Sequence, residues 1–145
     1  MRFEFCLSHE SFELQIQGEK LRVAQGLSFI AQQGLRQGVL NTLAIEHAIY
    51  VIEELLEQLH LDYHVQRIAL SDDVQLEKIL NLFFNAQHRI DRVMLEHAFN
   101  EFVERTEYYV SKIEEQDLSI FLYFIFLREM MHHLNVTEIQ FISTS

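Results

Sequence analysis

RFEFCLSHESFELQI, residues 2–16, decides the fold class, because it holds two short runs of strict alternation. Phe3, Phe5 and Leu7 alternate with Glu4 and Cys6, and Phe12, Leu14 and Ile16 alternate with Glu13 and Gln15. Side chains two apart share one face of a strand, so each run has an apolar side and a polar side. SHES lies between them, and the pattern predicts an antiparallel hairpin, although the loop lacks an Asn-Gly type of turn.

The segment that follows holds all four glycines, at 18, 26, 34 and 38. Their spacing in multiples of four predicts either a helix with a glycine side that another backbone can approach, or a weak, broken helix. Beyond Gly38 there is no glycine, and the chain has no proline, so helices can run with few interruptions. Ile45, Ala48, Ile49, Ile52, Leu55, Leu56 and Leu59 recur at three and four, which predicts a helix over 42–60 with Glu46, Tyr50, Glu53 and Glu57 on its solvent side. HVQRIAL, 64–70, reads as a short strand or connector, and Ser71-Asp72-Asp73 as the start of a helix over 72–86. A further helix is expected over 87–115. The segment 118–134 is apolar nearly all round for its first ten residues and reads as a buried helix, with Phe121, Phe124 and Leu127 in the core. TEIQFI, 137–142, alternates again and is expected to join the N-terminal hairpin. The expected architecture is α+β in one domain, 1–145: mostly helical, with a small mainly antiparallel sheet made from an N-terminal hairpin and a C-terminal strand. AIEHAI at 44–49 recurs as MLEHAF at 94–99, but no single period relates the two halves, so shared amphipathic composition accounts for the echo.

Composition narrows function by exclusion. A formal charge of −11 repels phosphate backbones and anionic lipid, which argues against direct nucleic-acid or membrane binding. The uncharged stretch from Leu118 to Leu127 is about half the roughly 20 residues of a membrane span. A single cysteine and an N-terminus without signal-peptide character point to a reduced, cytoplasmic protein. Cys6 lies in an alternating strand with no base implied beside it.

The titratable clusters are Glu57/His60 in EQLH and Glu129/His132 in EMMH, each a Glu-x-x-His pair. Paired with glutamates from other helices, such motifs build di-iron or di-manganese centres, and Glu101 or Glu104 could supply one more ligand. Random placement of 17 glutamates and 8 histidines already yields roughly 0.9 such pairs. The two pairs also face differently, since Glu57 and His60 continue a solvent row while Glu129 and His132 continue the apolar row Leu118, Leu122, Ile125. Histidines at the end of a helix, His60, His132 and His133 among them, have a simpler use against its free carbonyls. His97 and Glu101 form an ordinary surface pair one turn apart.

No catalytic motif stands out. The leading expectation is an acidic, cytoplasmic protein-binding domain that shields or neutralises a protein partner, of the immunity-protein, chaperone or adaptor type. Such a partner would be basic, no cofactor is needed, and exposed strand edges also admit a homo-oligomer. The alternative is a small metal-dependent enzyme with Glu129 and His132 as ligands of iron, manganese or zinc. A nucleic-acid mimic fits less well, because basic residues interrupt the acidic ones in HRIDRVMLEH.

Overall fold

The computed structural model describes residues 1–35, 38–114 and 117–143. The predicted hairpin is present as β1 (Arg2–Leu7) and β2 (Phe12–Ile16), paired antiparallel with Leu7 opposite Phe12. Phe3, Phe5, Phe12, Leu14 and Ile16 are buried, and Glu4 and Gln15 are exposed, as alternation requires. A third strand, β3 (Glu19–Val23), continues the meander. The turn before it uses Gln17 and Gly18, both at positive φ, the geometry a tight two-residue hairpin demands.

The sheet differs from the expectation of a small, mainly antiparallel one. It has six strands in the order β3-β2-β1-β4-β6-β5, with β4 (Arg67–Ser71), β5 (Arg89–Asp91) and β6 (Val136–Phe141) beyond the meander. β1 and β4 are parallel, and so are β4 and β6, while β5 pairs antiparallel with β6. The C-terminal strand therefore does not join the hairpin directly, because β4 lies between them. The reason for the miss is physical. A hairpin is specified by neighbouring residues, whereas parallel pairing needs a long crossover and leaves no local sign.

The glycine-rich stretch is not one helix. Gly26 precedes α1 (Leu27–Gly34), and Leu27 and Ser28 donate their backbone N–H groups to the carbonyls of Ser8 and His9. The β1–β2 loop is thereby fastened to the start of α1. A Cβ on Gly26 would lie 2.3 Å from the Ser8 carbonyl oxygen and 2.6 Å from the Ser11 nitrogen, so no other residue fits. Gly34 rests against Ala48, and here the expected close approach of two backbones is realised, between α1 and α2 (Thr42–Glu57).

The helix expected over 87–115 is interrupted. β5 takes its first residues, and α4 (Arg92–Glu104) and α5 (Thr106–Ser111) follow; residue 115 lies outside those described. Asp91 caps α4 by accepting from the Met94 N–H at 2.9 Å. α3 (Val74–Phe83) begins after Asp73 near the predicted point.

The buried helix is α6 (Ser119–His133), in which Phe121, Phe124 and Leu127 have no exposed surface. Phe126 meets Phe12 of the sheet edge-on at 4.6 Å, Phe124 stacks on Phe83 of α3 at 4.3 Å, and Phe121 stacks on Phe102 of α4 at 5.1 Å. Truncation of Phe124 to alanine is expected to cost about 3–5 kcal/mol in chemical denaturation, because aromatic rings of α3 and α4 would be left lining a cavity. Gly26→Ala should cost at least about 1 kcal/mol by forcing the loop off α1, and a neutral result would contradict the contact just described.

Candidate functional site

Two polar assemblies lie at opposite ends of the sheet. β1, β4 and β6 run the same way, so their carboxyl ends gather at one edge and their amino ends at the other.

At the carboxyl ends, Asp73 is the organising group. It occupies the N-cap position of α3 but makes no side-chain cap. Its Oδ2 instead accepts from the Leu7 N–H at 2.9 Å and the Tyr123 hydroxyl at 2.8 Å, which joins β1, α3 and α6 through one carboxylate. Tyr123 is fully buried, and burial first, then the Asp73 charge, push its hydroxyl well above the usual range, so it stays a donor. Cys6 adjoins the same carboxylate. Cys6 is exposed overall, but partial desolvation of its sulfur and the charges of Asp73, Glu13 and Asp72 push the thiol up to about 12. A thiol raised in this way is a weak nucleophile near neutral pH. Beside these groups, Ser8 Oγ accepts from the N–H groups of Glu10 and Ser11 and closes the β1–β2 loop.

At the amino ends, the last turns of α6 meet α2 and α4. Glu129 is only 2% exposed, and the Arg128 Nη1 donates to its Oε2 at 2.8 Å. Burial raises its carboxyl above the usual range, and Arg128 opposes that shift. Arg128 also donates from Nε to Glu96 of α4 at 3.2 Å, and its guanidinium lies over the Phe99 ring at 4.9 Å. His132, one of the two expected metal ligands, is turned away from Glu129 and contacts Glu96 through Nε2. His133 stands in its place, with Nε2 at 3.7 Å from both Glu129 Oε1 and Glu53 Oε1 of α2. Ligand atoms of Glu53, Glu129 and His133 lie within 4.8 Å of one another.

The other candidates fall elsewhere. Glu57 and His60 are exposed and, with His133, line a small cleft of about 130 Å³. Glu101 accepts from the Tyr109 hydroxyl at 2.9 Å, and Glu104 lines a cleft of about 980 Å³ between the start of α2 and α4–α5. His97 is exposed. Sequence reasoning missed Glu53 by assigning it to the solvent row. Tyr50 in that row is 65% exposed as expected, but the end of α6 covers Glu53 one turn later. Glu96 was also missed, and its i,i+1 neighbour His97 drew the attention instead.

No known family pattern and no curated protein matches this sequence. The fold does have solved counterparts. The Aquifex aeolicus PPX-GPPA enzyme matches with a TM-score of 0.72 at 10% identity, over 98% of this chain and 53% of the other. A structure described as the type II variant of the Aquifex aeolicus Ppx/GppA phosphatase gives 0.72 at 11% identity, and another Aquifex aeolicus member of the Ppx/GppA family gives 0.69 at 10%. The chain spans about half the length of these proteins. At such identity the likeness concerns the fold. It nevertheless runs against the expectation of an immunity- or chaperone-like protein, since the counterparts that nearly the whole chain follows in fold are described as enzymes and phosphatases. Among the described residues no helix is long and apolar enough to cross a membrane.

At pH 8 the Cys6 thiol should react with a disulfide reagent at least about tenfold more slowly than an ordinary cysteine, because its smaller thiolate fraction is only partly offset by the greater nucleophilicity of the thiolate. Reaction at the rate of free cysteine would contradict its placement against Asp73.

Proposed function

We propose that this chain carries a hydrolase activity toward phosphate esters or anhydrides, assisted by a divalent cation, at the carboxyl ends of β1 and β4. The observation that carries the reading is the agreement of nearly the whole chain with proteins described as Ppx/GppA phosphatases. Topology supports the place, because open sheets with parallel strands bind ligands outside their carboxyl ends.

The groups there suit the task. α3 starts at this edge without a side-chain cap, so its first turn presents N–H groups and the positive end of its dipole to an anion. Asp72 and Asp73 precede it, and two adjacent carboxylates are hard oxygen donors that fit magnesium or manganese. A cation bound there would offset the negative charge of the substrate and polarise a phosphoryl oxygen. Asp73 is held by Leu7 and Tyr123 and so meets a ligand in one orientation, without the entropy cost of ordering it on binding. The acidic surroundings explain why the cation is required, since without it these carboxylates would repel a phosphate.

The test is phosphate release from p-nitrophenyl phosphate and from tripolyphosphate, with magnesium or manganese and with a chelator. Asp73→Asn keeps an acceptor oxygen for Leu7 and Tyr123, so the fold should survive while kcat falls about 100-fold or more. Absence of metal-dependent phosphate release from both substrates would defeat the proposal.

A further inference from the structure

We propose that Glu53, Glu129 and His133 form a binding site for one divalent transition-metal ion of the zinc class, joining α2 to α6. The site lies at the amino ends of the parallel strands and is separate from the crevice beside Asp73.

Spacing is the first argument. His133 Nε2 lies 3.7 Å from Glu53 Oε1 and 3.7 Å from Glu129 Oε1. Those separations exceed the roughly 2.7–3.2 Å of an N–H···O hydrogen bond. They come close to the edge of a coordination tetrahedron, about 3.3–3.6 Å for metal–ligand bonds of about 2.0–2.2 Å. Two edges of the triangle are thus near those of a coordination tetrahedron, and all three ligand atoms lie within 4.8 Å of one another, so the helices need only draw together slightly for one ion to meet all three.

Charge is the second argument. Among the described residues, three carboxylates, Glu53, Glu96 and Glu129, gather with one permanent cation, Arg128, and with His132 and His133 in ion-pair contact. One divalent ion would balance the two uncompensated negative charges. Glu129 makes the need acute, because it is 2% exposed and its hydrogen bond to Arg128 occupies Oε2, while Oε1 is the oxygen directed at His133. A carboxylate this buried is costly in its charged form unless cations meet it.

The donor set selects the metal. One imidazole and two carboxylates suit zinc, manganese or iron, with zinc the tightest of the three, whereas magnesium and calcium prefer oxygen alone. Arg128 would act on the ion through Glu129, orienting its carboxylate from outside the coordination sphere. Three protein ligands leave a fourth position to solvent on the side where His133 is half-exposed. Glu129 and His133 lie one turn apart on α6 and Glu53 comes from α2, so the ion would clamp two helices that are far apart in sequence.

The full chain, stripped with a chelator, is titrated with zinc chloride by calorimetry and followed by thermal unfolding. One zinc per chain and a rise in Tm are expected, with no rise for magnesium chloride at the same concentration. Glu129→Gln and His133→Ala should each weaken zinc binding about 100-fold or more, while His60→Ala leaves it unchanged. Far-UV circular dichroism establishes that each variant is folded before titration, and half-exposed His133 and Glu53 provide substitutions that spare the core. Absence of zinc binding by the parent chain, or unchanged affinity in folded His133→Ala and Glu53→Gln, would overturn the site. Either outcome leaves phosphate hydrolysis at the other end of the sheet to be decided by its own assay.

Discussion

The structure depends on hiding one helix on every side. Residues 120–127 of α6 are all buried, so no face of these two turns can be left to water. A helix of this kind needs partners all round it, and the remaining elements provide them: the sheet through Phe12, α3 through Phe83, α4 through Phe102. Two polar side chains interrupt that apolar column. Tyr123 near its start and Glu129 near its end each cost free energy to bury, and each is met by a specific partner, Asp73 and Arg128. The candidate sites therefore grow from the two places where the core helix is not purely apolar.

The same helix also explains why the polar groups separate into two ends. α6 runs opposite to β1, β4 and β6, beginning near their carboxyl ends and finishing where β6 starts. Arg67, at the start of β4 and only 3% exposed, donates to the Leu134 carbonyl at 2.9 Å and secures that finish. Asp73 secures the beginning. Movement of α6 along its axis would break both attachments, so the two assemblies are held in register by the core between them.

Much of the fold was legible because its signals are local. Phe3, Phe5, Phe12, Leu14 and Ile16 declare the hairpin by period, and the apolar repeat of α2 and the all-round apolarity of α6 are equally direct. β5 was not legible, since three residues are too few to show alternation, although Asp91 before an apolar repeat is a signal that could have marked the start of α4. The partnership of β1 with β4 joins residues more than 60 positions apart and has no local trace. The site was half legible for the same reason. The inward position of Glu129 follows from its own helix, while Glu53 and Glu96 come from α2 and α4 and become its neighbours only when the helices pack. His132 was chosen over His133 because helical spacing alone cannot say which neighbouring helix each will face.

The strand order has a consequence for the way the chain must fold. β6 follows the other five strands in sequence, yet it occupies an interior position between β4 and β5. Until residues 136–141 are in place, β4 presents an open edge and β5 has no strand to pair with. During synthesis the meander of β1 to β3 can form early from nearby residues, but the parallel half must wait for β6 to insert. In that interval an unpaired interior strand is exposed beside an apolar helix, which makes the nascent chain most vulnerable to association with its own copies until β6 has inserted.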